Sequence, residues 1–188
     1  MKISYDKSLK IALIGKSRSG KDTVAPMFDD LYFIDTYEYL KFMSFGYKMV
    51  RSFQETFPNI ERIPRPIESY RKYAQYCREI DENVWVNFVD EEYRSHIKYN
   101  KLENFIITDL RQENEYEWCK KHGFIFIKID CDEKIRKERA IKSGEECLLN
   151  ADAEKYTDKL AFDYLIKNNG SLKELKEAVK EIYNEIVS

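Results

Sequence analysis

Lys10-Ile11-Ala12-Leu13-Ile14-Gly15-Lys16-Ser17-Arg18-Ser19-Gly20-Lys21-Asp22-Thr23 runs from an apolar strand into a loop bounded by two glycines and then into helix-forming sequence. That order aims a helix N-terminus and several backbone N–H groups at one spot, where a polyphosphate can sit. Gly15 and Gly20 allow torsions that a Cβ resists and let the loop approach phosphate oxygens closely. Lys21 stands where it can reach the β- and γ-phosphates. Ser17, Ser19, Asp22 and Thr23 complete the expected nucleotide-binding set with Gly15, Gly20 and Lys21. The loop therefore predicts a nucleoside triphosphate site.

Asp22 occupies the position that in the usual loop carries a Ser or Thr on Mg²⁺. A carboxylate there can hold the metal through water, because Mg²⁺ keeps much of its hydration shell. It can equally serve as a first-turn anion on the helix dipole.

The 188 residues suffice for one domain with a sizeable core, and 43% apolar with 35% charged residues is the balance of a globular chain. The net charge of -2 argues against a general nucleic-acid binder, which carries a basic excess. No apolar run approaches a membrane span, and the first residues lack the apolar stretch expected of a signal peptide. Cys77, Cys119, Cys131 and Cys147 form no CxxC pair. Reduced thiols, a cytoplasmic protein and no zinc site are expected.

Strand signals alternate with longer helical patterns, as in a parallel α/β sheet. The strands read as Ile11 to Ile14, Leu40 to Phe45 ending at Gly46, Asn104 to Thr108 ending at Asp109, Phe124 to Asp130, and Tyr164 to Lys167. Helices are expected after the loop through Phe28, with Pro26 inside, from Tyr47 to Phe57, and as a pair between Tyr70 and Asn100 meeting near Asp81. The stretch Ile60 to Ser69, with Pro64 and Pro66, reads as a loop. Further helices span Glu113 to His122 and Asp132 to Ser143, and a last one starts near Ser171, which makes a capping box with Glu174. The pattern predicts an α/β, three-layer P-loop NTPase fold: one kinase domain over 1–188 with a five-stranded parallel sheet. A helical acceptor-binding region at about 46–100 and a short lid at about 132–157 complete it.

Phosphoryl transfer needs positioning and charge neutralisation, so the search is for a metal carboxylate and for cations. Asp109 ends a hydrophobic strand, where ligands of open α/β sheets bind, and can hold Mg²⁺ through water or orient the acceptor. Arg111 follows two residues on; it can grip a phosphate with two hydrogen bonds or pair with Glu113 or Glu115. Arg136 and Arg139 share a helix face at i, i+3. On a closing lid one of them stabilises developing charge; alternatively both belong to a solvated face. The acceptor is expected between Lys48 and Trp85. Lys48 and Arg51 open one helix there, Arg78 suits a substrate phosphate, and Gln75 has the amide needed to read a base edge. Tyr73, Tyr76 and Trp85 offer stacking surfaces, with Trp85 better suited to the core. His96 and His122 are assigned no role.

These motifs resemble those of the bacteriophage-type deoxynucleoside monophosphate kinases. Gly15 to Thr23, GKSRSGKDT, is similar to their phosphate loop, in which Asp and Thr follow the Lys. Ser44-Phe45-Gly46-Tyr47-Lys48, Tyr73-Ala74-Gln75-Tyr76-Cys77-Arg78 with Asp81 and Trp85, and Thr108-Asp109-Leu110-Arg111-Gln112 are similar to three further family elements. The run from Asp163 to Leu172 is common to adenylate-kinase-like folds. The resemblance implies ATP and Mg²⁺ as co-substrate and cofactor, with transfer to a deoxynucleoside monophosphate. By the same resemblance Lys21 handles the β/γ-phosphates, Arg78 and Arg111 hold the acceptor phosphate, and Arg136 or Arg139 closes from the lid. Ala74 stands where the family has Gly. Other readings are a kinase of another small molecule, such as dephospho-coenzyme A, or a nucleotide-binding module without catalysis. The expected partners are small molecules, ATP and a nucleoside monophosphate, with no nucleic acid or membrane and with a homodimer left open.

Overall fold

The computed structural model describes residues 8–63, 65–101, 103–143 and 156–188. They divide into two compact units, one within 1–43 and 102–188 and the other Ser44–Lys101.

The first unit is built on five parallel strands, β1 (Lys10–Ile14), β2 (Lys41–Met43), β3 (Phe105–Leu110), β4 (Ile125–Asp130) and β5 (Tyr164–Lys167), in the order β2-β3-β1-β4-β5. β1, buried on both sides, has no polar residue from Ile11 to Ile14, as a central parallel strand requires. Two helices, α1 (Lys21–Thr36) and α7 (Leu172–Val187), cover one face. Val24 and Phe28 from α1 and Leu175, Val179 and Tyr183 from α7 meet Ile11, Leu13, Ile106, Ile127 and Ile166 of the sheet in one core. Tyr183 Oη donates to Asp35 across the two helices at 2.9 Å. On the opposite face α5 (Glu113–Lys121) stacks Tyr116 on Phe126 at 4.3 Å between centroids. The layers are helix, sheet, helix. The third helix of this unit by chain order, α6 (Glu133–Lys142), follows β4, and the expected lid beyond it lies largely outside the described residues.

The second unit holds α2 (Phe45–Thr56), α3 (Ile67–Ile80), α4 (Val84–Ser95) and a π-helical turn, His96–Asn100. Its core is aromatic. Phe53 packs edge-on against Tyr70 and Tyr73, and Tyr73 touches Trp85. Ser52 Oγ and Tyr73 Oη share a 2.7 Å hydrogen bond.

The first helix runs on to Thr36, well past Phe28, several ends shift by a residue or two, and three boundary differences concern the site. The second strand stops at Met43 rather than Phe45, because Ser44 accepts the Tyr47 N–H at 3.0 Å and starts a helix that takes in Phe45 and Gly46. The loop expected over Ile60 to Ser69 ends earlier, since α3 begins at Ile67 directly after Pro66. The third strand runs on through Leu110, so Asp109 lies within it.

The N-terminus of α7 carries the predicted capping box: Ser171 Oγ accepts the Glu174 N–H, and the Glu174 carboxylate accepts the Ser171 N–H at 2.6 Å and its hydroxyl at 2.8 Å. Those donors hold the Glu174 carboxyl below its ordinary range. A depressed folded-state pKa stabilises fully above the unfolded value and fades as pH falls through the folded one. The stability gap between wild type and Glu174→Gln should therefore be present at neutral pH and shrink towards zero on acidification through the carboxylate range, read by thermal melts at stepped pH.

Candidate functional site at the phosphate loop

β1 delivers the chain to the loop between two neighbours. Ile14 pairs with Leu110 of β3 on one side and Lys128 of β4 on the other. The carboxyl ends of three strands, and with them Asp109, Arg111, Asp130 and Cys131, thus lie alongside Gly15.

The loop's own geometry follows from where its carbonyls go. Lys21 Nζ donates to Gly15 O at 2.6 Å and to Lys16 O at 3.1 Å, and Ser19 N also bonds Lys16 O. Arg136 Nη1 donates to Ser17 O at 3.2 Å. Arg139 Nη1 reaches Arg18 O at 3.2 Å and Ser19 O at 3.4 Å, and Asn168 Nδ2 donates to Ser19 O at 2.7 Å. Gly20 O accepts the Thr23 and Val24 N–H groups of α1. Every carbonyl from Gly15 to Gly20 therefore has a donor. In a trans peptide the N–H points away from its C=O, so the carbonyls drawn to Arg136, Arg139 and Asn168 turn the N–H groups of the same peptides the other way. Such a nest, with the α1 N-terminus beside it, is an anion site.

Two torsions set the bend. Arg18 has φ 63° and Gly20 has φ 107°, both left-handed. Gly15 needs its missing side chain for another reason. A Cβ there would stand 2.7 Å from Ile129 O and 2.6 Å from the buried Ser19 Oγ.

The predicted site residues fall out as follows. Gly15, Ser17, Ser19, Gly20 and Lys21 form the loop, with Ser19 and Lys21 buried; Asp22 and Thr23 stand exposed on the first turn of α1. Asp109 is half-buried near the end of β3. The Glu115 carboxylate caps α5 by accepting the Arg111 and Gln112 N–H groups at 2.8 and 2.9 Å. Among the described residues the exposed Arg111 guanidinium forms no ion pair. Neither Arg136 nor Arg139 occupies a solvated face. Arg136 is buried and Arg139 half-buried, and both hold loop carbonyls. Arg139 Nη1 also lies 3.4 Å from Cys131 Sγ, whose thiol burial pushes up against the pull of both arginines.

In the second unit Lys48 pairs with Glu92 at 3.1 Å, Arg51 with Glu55 at 3.0 Å, and Gln75 Nε2 donates to Glu79 at 3.3 Å. Arg78 is half-buried in the last turn of α3. Trp85 is core, 3% exposed, and its Nε1 donates to the carbonyl of buried Ala74 at 3.4 Å. Ala74 thus faces packing within its unit. Arg51 also lines an open hollow with Tyr47, Val50, Gln54, Glu55 and Arg62.

Sequence reasoning missed three residues at the loop. Asn168 reads only as one residue of the run from Asp163 to Leu172, yet it is buried and holds Ser19. Cys131 is the free thiol expected, but the sequence does not place it beside Arg139. Asp158, unremarked, forms a 2.7 Å ion pair with Lys16. The Asn168-Asn169-Gly170 run is a sequence signal for Asn168 only once β5 is known to end beside the loop.

Among the described residues no cluster of three or more His, Cys, Asp or Glu could hold a metal ion, and no helix is long and apolar enough to cross a membrane. Gly15→Ala should cost about 1–3 kcal/mol of stability, the range for forcing extra volume into packed surroundings. Urea unfolding of the variant measures it.

A family model described as deoxynucleotide monophosphate kinase matches residues 75–179. No curated protein matches the sequence. Among solved structures, TT1252 from Thermus thermophilus is similar at a TM-score of 0.59 and 18% identity, over 97% of this chain and 100% of that one. Shikimate kinase from Acinetobacter baumannii, in complex with shikimate, follows at 0.52 and 14%, over 95% and 93%. Shikimate kinase from Aquifex aeolicus stands at 0.51 and 21%, over 95% and 96%. At these identities the structures speak for the fold, an α/β P-loop kinase fold with a five-stranded parallel sheet. The family match spans more than half of the chain and takes in Gln75, Arg78, Asp109, Arg111, Arg136, Arg139 and Asn168. The chain therefore belongs to the deoxynucleotide monophosphate kinase family and is a kinase of a nucleotide or a similar small molecule.

Proposed function

We propose that the protein transfers the γ-phosphoryl group of ATP to a deoxynucleoside monophosphate. The bond from the γ-phosphorus to its bridging oxygen breaks, a phosphate oxygen of the acceptor forms the new bond, and ADP and a deoxynucleoside diphosphate leave. One observation carries this reading: each of the six loop carbonyls has a hydrogen-bond donor, two of them the Lys21 ammonium, which gives the loop beside the α1 N-terminus a fixed shape suited to a polyphosphate. The family match supports the acceptor class.

Roles follow from the chemistry of each group. Lys21, now on Gly15 O and Lys16 O, can exchange those neutral acceptors for β/γ-phosphate oxygens, a charge-assisted and stronger bond. Arg111, exposed and outside any described ion pair, suits an acceptor phosphate, as does Arg78. Gln75 is exposed enough to meet a base edge with its amide, and Lys48 and Arg51 complete the acceptor set on α2. Arg136 and Arg139 stabilise charge through the loop they hold and lie on the helix that begins the proposed lid region. That region and the helical insertion are parts of one kinase domain.

Mg²⁺ fits what the first unit offers. Asp22 and Asp109 supply hard carboxylate oxygens, and a metal held largely by phosphates and water needs no dedicated protein cage. When bound it would neutralise charge on the β- and γ-oxygens.

The test is ADP release with ATP and Mg²⁺ against a panel of deoxynucleoside and nucleoside monophosphates, with dephospho-coenzyme A included. Turnover on deoxynucleoside monophosphates is expected. Turnover on dephospho-coenzyme A alone would replace this acceptor with another. Lys21→Ala should lower kcat by at least about a hundredfold, the scale for removing one transition-state charge donor, with the fold intact by circular dichroism. Gln75→Ala should change the order of preferred monophosphates in the same panel.

A further inference from the structure

We infer that Asn168 is a positioning residue for the phosphate loop, one that sets the Ser19–Gly20 peptide without touching the nucleotide. It follows β5 directly, and its N–H bonds Asp130 O at 2.7 Å, which carries the β4–β5 ladder one step past the strand. Its side chain is buried at 5% exposure. Nδ2 donates to Ser19 O at 2.7 Å. Arg139 Nη2 donates to both the backbone carbonyl of Asn168, at 3.0 Å, and its Oδ1, at 3.4 Å. Those partners decide which way the amide faces. Turned over, it would set oxygen against the Ser19 carbonyl and nitrogen against the guanidinium.

Gly20 supplies the independent observation. Its φ of 107° excludes an ordinary side chain, and a Cβ there would collide with Asn168 Nδ2. The asparagine amide fills the volume that a residue-20 side chain would need. The two positions are complementary: the bond from Asn168 reaches Ser19 O because nothing projects from Gly20. Clamping that peptide fixes where the loop ends and the N-terminus of α1 begins, one residue before Lys21.

The neighbouring asparagine has a separate task. Asn169 Oδ1 accepts the Asp132 N–H at 2.9 Å on the surface, at the entry to α6. Among the described residues it forms no hydrogen bond to the loop, and it makes the natural control.

The inference rests on the loop being the ATP site, so the experiment measures ATP binding directly by titration calorimetry beside steady-state kinetics. Asn168→Asp keeps the volume and the oxygen facing Arg139 but replaces the donor by an acceptor. ATP should bind about tenfold more weakly, the scale of losing one buried hydrogen bond, since the Ser19 carbonyl keeps only its longer bond to Arg139 Nη1 and faces a carboxylate oxygen. KM for ATP should rise with it, and KM for the acceptor should stay as in the wild type. Asn169→Ala should lower Tm while ATP affinity is unchanged. Asn168→Ser is the second route should the Asp variant fail to fold, with ATP affinity falling in the same direction. Wild-type ATP affinity in a folded Asp or Ser variant overturns the inference. A wild-type protein that binds no ATP overturns the reading of the loop, and this inference with it.

Discussion

A phosphate loop is a stretch of backbone that must turn its carbonyls one way and its amides the other, and each carbonyl so displaced needs a donor. An unsatisfied buried carbonyl costs about 1–3 kcal/mol, so a loop with several would not hold its shape. Here six carbonyls are satisfied from three directions: Lys21 and the first turn of α1, two arginines of α6, and Asn168 after β5. That requirement accounts for much else in the first unit. It explains why α6, a helix of mostly charged residues, buries Arg136. It also explains why β5 must end level with the loop, since Asn168 reaches Ser19 only from there.

The sheet order makes these contacts reachable. With β1 in the middle, its carboxyl end is flanked by the ends of β3 and β4, and β5 lies one strand further out. Long side chains span what remains, Arg139 from α6 and the shorter Asn168 from the adjacent strand end. Apolar burial beneath, in the α1–α7 face, holds the strands in register while the polar bonds above shape the loop. The two contributions act on different links of the same chain: burial places the ends of the strands, and hydrogen bonds set the conformation of what leaves them.

Most of the architecture was legible because it is periodic. All five strands were expected, Tyr164 to Lys167 to the residue, and the Ser171–Glu174 box marked α7. Local chemistry that competes with periodicity was harder to read. Leu40 to Phe45 looks like one apolar run, but Ser44 has a side chain that captures the Tyr47 N–H and turns the last residues helical. At the site, Gly15, Gly20 and Lys21 could be read from spacing alone. Asn168 could not, because its partner lies 149 positions away and nothing in an Asn-Asn-Gly run distinguishes a turn from a clamp. The same holds for Arg136 and Arg139. Lys134, Lys137 and Lys142 around them give the sequence of a solvated helix, and only the fold shows which basic side chains turn inward.

The way these cations are compensated bears on what the site can bind. Arg139 is surrounded by neutral acceptors, three carbonyls, an amide oxygen and a thiol that burial keeps protonated, so its charge is oriented but not cancelled. A positive charge held by fixed dipoles beside a nest of N–H groups is electrostatic preorganisation for an anion and needs little rearrangement when that anion arrives. In the second unit Lys48 and Arg51 are paired with carboxylates, Glu92 and Glu55. The Arg51–Glu55 pair is exposed, and such pairs contribute little, about 0–1 kcal/mol, so a phosphate dianion can displace Glu55 at small cost. The two α6 arginines and the α2 cations are thus held in different ways. At the loop Arg136 and Arg139 are committed to backbone carbonyls. On α2 Arg51 rests on an exchangeable carboxylate, which suits the proposed acceptor, one that would enter as a monophosphate and leave as a diphosphate.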